Sequence, residues 1–374
     1  MTLPHADVDP DGLQEFSVVF TDRSLNHMSA RFQGVMRDVS TLLREVYHGE
    51  AVALVPGGGT CAMEAVARAF GRGQVLIVRN GWFSYRWSQI FDAGGFATGT
   101  TVVMARQTGN GVRAPYAPPP IDEVCAKIRE VKPGAVFAPH VETSSGIILP
   151  EDYITAMAEA AHEVGALMVL DCIASGCIWV DMAATGVDVL ISAPQKGWSA
   201  SPSAGIVVMS APAEARLADT TASSFALDLK KWRAIMVAYE GGGHAYHATL
   251  PTDAILGLRD AMAETRAMGF AAAKAAQWQL GQSVRAMLAA RGVMSVAATG
   301  FQAPGVVVSY TDDPEVQNGA KFRAAGLQIA AGVPLQVGEG AEFRTFRLGL
   351  FGLDKLSDVP ATVARLQTAV AAVL

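Results

Sequence analysis

The chain has 374 residues, of which 51% are hydrophobic and 17% charged, which is enough apolar material for a large core and, by length, for two domains. Its formal net charge is −6 and it has no long basic cluster, so we predict no nucleic-acid partner. The most apolar stretch, at 165–180, is interrupted by Asp171 and is too short to span a bilayer, so we predict no membrane partner.

The cysteines and the first residues indicate the compartment. The four cysteines include no CxxC pair, so neither a zinc site nor a disulfide framework is indicated. The opening segment MTLPHADVDPDGLQ has no basic, apolar signal region. We therefore expect a cytoplasmic protein.

Apolar β-branched runs alternate with helical patterns between about residues 50 and 210. Strands are predicted at 51–56, 75–80, 135–143, 167–175, 188–194 and 205–210, and helices at 61–71, 84–93 and 151–163. Nearly continuous apolar strands that alternate with helices predict a parallel sheet buried on both faces.

The rest of the chain has a different pattern. One long alanine-rich helical pattern covers 254–292, and strands at 305–312 and 343–352 precede a closing helix at 358–374. This order indicates a smaller α+β domain. The predicted organisation is an N-terminal arm at 1–30, a large domain at 31–255 and a small C-terminal domain at 256–374.

Four features lie at the carboxyl ends of apolar strand segments of the large domain. They are PGGGT (56–60), the Thr143–Ser144 pair, Asp171, and Lys196 in SAPQKG. Ligands of open α/β sheets bind beyond the carboxyl ends of the strands. We therefore expect these features to form one site.

The PGGGT segment favours a phosphate. Glycines let backbone N–H groups approach an anion, and the start of the following helix attracts negative charge. Gly57, Gly59 and Ala62 also fit the G-x-G-x-x-A dinucleotide pattern. That pattern needs an acid at the end of the next strand, which here ends in Arg79-Asn80, so a nucleotide-binding oxidoreductase is the weaker alternative.

Asp171 and Lys196 suit pyridoxal phosphate. A lysine amine can form a Schiff base with the cofactor's aldehyde, and a carboxylate can keep the pyridine nitrogen protonated. Separately, a solvated surface lysine and a loop-capping aspartate are the structural alternatives. Together with the phosphate segment, the two residues predict a pyridoxal phosphate site.

Seven segments, in order, resemble the class V aminotransferases of pyridoxal phosphate fold type I, and most closely the alanine/serine–glyoxylate aminotransferases. The segments are PGGGTCAME (56–64), NGWFSYR (80–86), HVETSSG (140–146), LDCIAS (170–175), SAPQKG (192–197), YHATLP (246–251) and FRLGLFG (346–352). The resemblance implies an α/β fold with a mainly parallel central sheet flanked by helices.

The resemblance also implies roles for single residues at the cofactor ring. Lys196 would be the Schiff-base lysine, and Asp171 would pair with the pyridine nitrogen. Phe83 would stack on the ring, and Thr143 would place a hydroxyl near the ring oxygen and the substrate.

Further roles concern the phosphate, the substrate and the second subunit. The phosphate would be held by Gly58, Gly59, Thr60 and Gln195. Tyr246 and Thr249 would reach the phosphate of the other subunit's cofactor, which implies a homodimer with shared sites. Arg347 would bind the substrate carboxylate in preference to Arg344, which lies three residues earlier and so on the opposite face of a strand.

The implied function is transfer of an amino group from a small amino acid, alanine- or serine-like, to a 2-oxo acid such as glyoxylate or pyruvate. Another reaction with the same cofactor, by a lyase or hydrolase, stays open. Desulfuration is disfavoured because the last cysteine, Cys177, precedes Lys196. We predict no metal, since no third ligand is suitably spaced from His244 and His247.

One departure from the family pattern concerns specificity. The Gly-Pro-Gly-Pro segment with which these proteins open is absent, and FSVVFTDRSLNHMSARF (16–32) stands at the start instead. Asp22, Arg23 and Asn26 could add polar contacts there. The sequence therefore does not identify the amino donor.

Overall fold

The computed structural model describes residues 24–374. The longer helices are α1 (Ala30–Tyr47), α2 (Gly59–Phe70), α3 (Trp82–Gly94), α4 (Ile121–Val131), α5 (Glu151–Glu163), α7 (Ala211–Ala218), α8 (Leu229–Glu240), α9 (Thr252–Met268), α10 (Phe270–Ala289) and α14 (Val359–Val373). One-turn helices are α6 (Met182–Thr185), α11 (Pro314–Gln317), α12 (Ala320–Ala324) and α13 (Leu353–Leu356).

The strands form two larger sheets and two short ribbons. The strands of the larger sheets are β1 (Ala51–Pro56), β2 (Gln74–Arg79), β3 (Gly99–Met104), β6 (Ala135–Pro139), β9 (Leu167–Asp171), β10 (Val189–Ser192), β11 (Ala204–Met209), β12 (Val306–Tyr310), β13 (Ala330–Ala331) and β14 (Thr345–Gly349). The ribbons pair β4 (Arg106–Gln107) with β5 (Tyr116–Ala117) and β7 (Val141–Glu142) with β8 (Ile147–Ile148).

The central sheet has seven strands in the order β1-β11-β10-β9-β6-β2-β3. Strands β10, β9, β6, β2 and β3 are parallel, whereas β11 is antiparallel to both β1 and β10. The connection at 193–203 contains no helix, so the chain does not cross back over the sheet and β11 returns antiparallel. The predicted α/β fold with a mainly parallel sheet is confirmed, with one reversed strand.

Burial explains why these strands could be predicted from the sequence. Every residue of β6, β9, β10 and β11 is buried, because helices cover both faces of the sheet. The strand ends therefore project from a rigid core, and polar side chains beyond them hold defined positions.

The C-terminal part has its own three-stranded antiparallel sheet, in the order β12-β14-β13. The long helical pattern predicted over 254–292 is two helices that meet at Gly269, which has a φ of +92°. Helix α9 packs on α1, whereas α10 packs on α14. None of the helices in residues 24–374 is long and apolar enough to cross a membrane.

Candidate active site

Asp171 and Lys196 lie at the carboxyl ends of neighbouring strands. Asp171 is the last residue of β9 and pairs in register with Ile191 of β10, and Lys196 follows β10 by four residues. Asp171 is 7% exposed and Lys196 is half-buried. The sheet thus brings the two predicted chemical groups to one edge.

Asp171 is a buried carboxylate whose charge is only partly compensated by the protein. Its Oδ1 accepts the backbone N–H of Ile173 at 2.9 Å. Burial raises the pKa of Asp171 to about 6, although the Ile173 hydrogen bond and the charges of Arg86 and Lys196 act to lower it. None of the ion pairs in residues 24–374 includes Asp171. A protonated ring nitrogen would supply the missing partner.

The environment of Lys196 favours the neutral amine. Burial lowers the pKa of Lys196, and this effect outweighs that of the Asp171 carboxylate, which raises it. The Nζ atom lies 5.3 Å from the centre of the Phe351 ring. The loop that carries the lysine is held to the segment after β14, because the N–H of Leu353 donates to Ser199 Oγ at 3.1 Å.

Phe83, in the first turn of α3, lies between the strand ends and the small sheet. The guanidinium carbons of Arg86 and Arg347 are 5.2 and 5.5 Å from the centre of its ring. Arg347 also donates to the carbonyl of Ala331 at 2.8 Å and to that of Thr143 at 3.5 Å. The structure thus brings Phe83, Thr143 and Arg347 together.

Arg344 points elsewhere. It precedes β14 and donates to the carbonyl of Asp312 at 2.6 Å, whereas Arg347 lies within the strand and contacts Thr143. The two arginines therefore have different surroundings, as their spacing predicts.

The sequence analysis did not single out Glu142, which fixes the start of α3. This fully buried carboxylate accepts the backbone N–H groups of Phe83, Ser84 and Ser144 and the hydroxyls of both serines, at 2.7–3.2 Å. Five donors compensate its burial. The available signal was a carboxylate inside the buried HVETSSG segment.

The start of α2 fits a phosphate group. Its N-cap is Gly58, which offers no side chain to the first-turn N–H groups, and that turn contains no acidic residue. A Cβ at Gly58 would meet no heavy atom within 4 Å, so there is open space beside Gly58 at the helix start. Thr60 is exposed there, and Gln195 is exposed beside Lys196. Free N–H groups at a helix start bind anions.

Two glycines let α2 approach the sheet closely. A Cβ at Gly59 would lie 2.4 Å from Cδ1 of Ile173, and one at Gly205 would lie 2.6 Å from the carbonyl oxygen of Gly58. A side chain at residue 59 would push the helix start away from Ile173, which follows β9, and one at residue 205 would push it away from β11. The residues present therefore fit pyridoxal phosphate at both its ring nitrogen and its phosphate.

Tyr246 and Thr249 lie on a separate surface of the chain. Tyr246 is 60% exposed, and its hydroxyl is 3.4 Å from Thr249 Oγ1. Both residues line a cavity of about 620 Å³ that Lys196, Asp171 and Phe83 do not line. Within one chain, the structure therefore does not bring these hydroxyls into the site.

The remaining candidates have structural contacts or fall outside the described part. Asp22 and Arg23 lie outside it, and Asn26 is buried with its Oδ1 accepting the N–H of Met28 at 2.9 Å. His247 contacts the carbonyl of Phe225 at 2.8 Å. Residues 24–374 contain no group of three or more His, Cys, Asp or Glu side chains that could hold a metal ion.

Fold and site together define the class of protein, an enzyme of pyridoxal phosphate fold type I. The model of the family "Aminotransferase class-V" matches residues 13–330. The chain therefore belongs to the class V aminotransferase family, and it is an aminotransferase that uses pyridoxal phosphate.

Individual relatives match most of the chain. A 2-aminoethylphosphonate–pyruvate transaminase of Burkholderia thailandensis is 30% identical over 340 residues, covering 86% of this chain and 84% of the relative. A protein of Synechococcus sp. named "Soluble hydrogenase, small subunit" is 27% identical and covers 93% and 87%. The crystal structure of an alanine–glyoxylate aminotransferase from Nostoc sp. has a TM-score of 0.78 at 24% identity and covers 93% and 88%.

Proposed function

We propose that the protein transfers an amino group from a small amino acid, alanine- or serine-like, to a 2-oxo acid such as glyoxylate or pyruvate. The observation that carries this proposal is the position of Arg347 against Phe83 and Thr143. An amino acid and its oxo acid share a carboxylate, and a guanidinium binds a carboxylate through two parallel hydrogen bonds. Relatives named for glyoxylate and pyruvate support these acceptors.

Pyridoxal phosphate, when bound, supplies an aldehyde that receives the amino group and a ring that accepts electrons from the substrate's α-carbon. Lys196 would take the proton from that carbon and deliver it to the C4′ carbon of the cofactor, and its lowered pKa favours this role because a neutral amine is the base. Asp171 accepts a hydrogen bond from the protonated ring nitrogen. Arg347 holds the substrate carboxylate and so orients the α-carbon toward Lys196.

The remaining predicted residues hold the cofactor in place. Phe83 would pack against one face of the ring, and Thr143 would donate its hydroxyl to the ring oxygen. The start of α2, with Gly58, Gly59 and Thr60, binds the phosphate together with Gln195.

We also propose a cytoplasmic homodimer in which Tyr246 and Thr249 donate their hydroxyls to the phosphate in the partner subunit. The support is their exposure and their separation from the site of their own chain. Within each subunit, we propose a large and a small domain that meet at Gly269 rather than between residues 255 and 256. This boundary agrees with the packing of α9 on α1 and of α10 on α14.

A half-reaction panel tests the proposed substrates. The purified enzyme with bound cofactor is mixed with alanine, serine, glycine, aspartate or an aminophosphonate, and absorbance follows the conversion of the cofactor from its aldehyde to its amine form. We expect fast conversion with alanine or serine and reversal by glyoxylate or pyruvate. Conversion only with aspartate or an aminophosphonate would contradict the proposed donor.

The same assay separates amino transfer from other reactions of this cofactor. Amino transfer consumes one oxo acid for each one formed, whereas a lyase or hydrolase releases product without an acceptor. The Lys196→Ala variant serves as the control and should bind cofactor without turning over.

A further inference from the structure

Arg86 is a charged residue at the site, and it has no role in the reaction described above. It lies on the first turns of α3, is half-buried, and stacks over the Phe83 ring at 5.2 Å. Its Nη1 also donates to Thr60 Oγ1 at 3.1 Å. The side chain therefore joins the residue proposed to stack on the cofactor ring to the residue at the phosphate-fitting start of α2.

The contact with Thr60 restricts the direction of one hydrogen atom. A threonine hydroxyl has one O–H donor and two acceptor positions. Arg86 donates to one acceptor position and cannot accept, so the O–H of Thr60 must point elsewhere. A phosphate at the start of α2, where Gly58 leaves open space, would offer an oxygen to receive it.

The charge of Arg86 acts in the same place. The first turn of α2 has no basic side chain of its own to meet a phosphate. Arg86 brings a guanidinium to within one hydrogen bond of that turn, and its charge also reaches Asp171 and Lys196, where it lowers both pKa values. A permanently charged group near the anion favours the phosphorylated cofactor over its unphosphorylated form.

We propose that Arg86 is a positioning residue that orients the Thr60 hydroxyl toward the cofactor phosphate and thereby selects pyridoxal phosphate over pyridoxal. This inference rests on the placement of the phosphate at the start of α2. Stacking on Phe83 alone would instead support the ring equally in both compounds.

The test measures the dissociation constants of pyridoxal phosphate and of pyridoxal for the cofactor-free protein. The quantity of interest is the ratio of the pyridoxal constant to the pyridoxal phosphate constant, because general damage to the site changes both constants alike. The variants are Arg86→Met, which keeps the aliphatic stem on Phe83, Thr60→Val, and the double variant. Arg79→Met is the matched control, since Arg79 also stacks on an aromatic ring, that of Tyr85 at 4.6 Å, and bonds Ser88 and Gln336.

We expect the ratio to fall by about tenfold in Arg86→Met and in Thr60→Val, and to stay within about twofold in Arg79→Met. In the double variant the ratio should fall by less than the product of the two single falls, because both changes remove one shared interaction. A fall of less than about threefold in Arg86→Met, or losses that multiply in the double variant, would overturn the proposal.

Two outcomes distinguish this inference from the proposed site. If Thr60→Val leaves the ratio unchanged, the Thr60 hydroxyl does not reach the phosphate and the proposal fails, whereas a phosphate held by the backbone N–H groups of α2 would remain. If Thr60→Val lowers the ratio and Arg86→Met does not, only the role of Arg86 fails. Should Arg86→Met not fold, Arg86→Gln replaces it under the same threshold, because it also removes the charge and keeps part of the aliphatic stem on Phe83.

Discussion

Arg347 and Arg344 are three residues apart and have different environments. Arg347 contacts Thr143 and Phe83, whereas Arg344 donates to Asp312 away from the site. We expect Arg347→Ala to lower kcat/KM for both the amino acid and the oxo acid by about two orders of magnitude or more, since the substrate carboxylate loses its paired charge. Steady-state kinetics measure this, with Arg344→Ala as the matched control.

The kcat/KM of the Arg344→Ala control should stay within about threefold of the wild-type value, because Arg344 has no proposed contact with the substrate. A larger loss in Arg344→Ala than in Arg347→Ala would mean that the substrate enters from the other face of β14.

Asp171 gives a prediction for the protein without cofactor. Its folded-state pKa, about 6, is above the value of about 3.9 for an exposed aspartate, so between these pH values the native state binds more protons than the unfolded state. The stability from this group is therefore complete below about pH 4 and is lost as the pH rises through about 6. The loss amounts to about 3 kcal/mol.

Chemical unfolding of wild type and Asp171→Asn at pH values from about 4 to 7 checks the sign. The advantage of wild type over the variant should shrink as the pH rises. Asp354→Asn, at an exposed position, gives the baseline. A difference that stays constant, or grows with pH, would show that Asp171 is not held as a costly buried charge.

The close contact between helix α2 and strand β11 depends on the absence of a side chain at Gly205. A Cβ at Gly205 would lie 2.3 Å from Cβ of Ala62 and 2.6 Å from the carbonyl oxygen of Gly58. We expect Gly205→Ala to destabilise the protein by about 1–3 kcal/mol, because α2 must move away from the sheet. Pyridoxal phosphate should also bind more weakly, since its proposed phosphate site moves with the helix.

Gly34→Ala, within α1, is the control because its Cβ would meet no atom within 4 Å. We expect it to stabilise the protein by about 0.5–1 kcal/mol and to leave cofactor affinity unchanged. Wild-type stability and affinity in Gly205→Ala would contradict the close packing.

The central strands could be predicted because burial on both faces leaves continuous apolar runs in the sequence. The reversed direction of β11 could not, because it depends on a loop at 193–203 that holds no helix. The break at Gly269 was hidden in the same way, since a single glycine within an alanine-rich pattern does not by itself end a helix.

The residues of the candidate site also fall into those that the sequence predicts and those that it does not. Asp171 and Lys196 stood out because each is a charged residue beside an apolar strand. Glu142 and Arg86 did not, because their partners are distant in the chain: Ser84 is 58 residues from Glu142, and Thr60 is 26 from Arg86. Such pairs become visible only when the fold brings α2, α3 and β7 to one edge.

At the scale of the whole molecule, the proposed shared site predicts complementation between subunits. Lys196→Ala damages a chain's own site, whereas Tyr246→Phe/Thr249→Val should damage the site of its partner. A hybrid dimer of the two variants therefore has one undamaged site and one site with both lesions. Co-expression should give activity above that of either parent.

Co-expression of Lys196→Ala with Arg347→Ala is the negative control, because both residues belong to one chain's site and every hybrid site keeps a lesion. Light scattering reports the oligomeric state of each preparation. If the first pair shows no recovery although the double variant is impaired, Tyr246 and Thr249 act within their own chain.

The contact between Gly59 and Ile173 limits which amino-acid substitutions this protein can accept during evolution. Ile173 occupies the space that a side chain at residue 59 would need, and its backbone N–H holds the Asp171 carboxylate. A side chain added at residue 59 would therefore clash with Ile173, so the phosphate end and the ring-nitrogen end of the cofactor site are coupled through this contact. Sequence changes should therefore accumulate first in other parts of the chain, such as the small sheet that carries Arg347. A new substrate can be accommodated there without changing the residues that hold the cofactor.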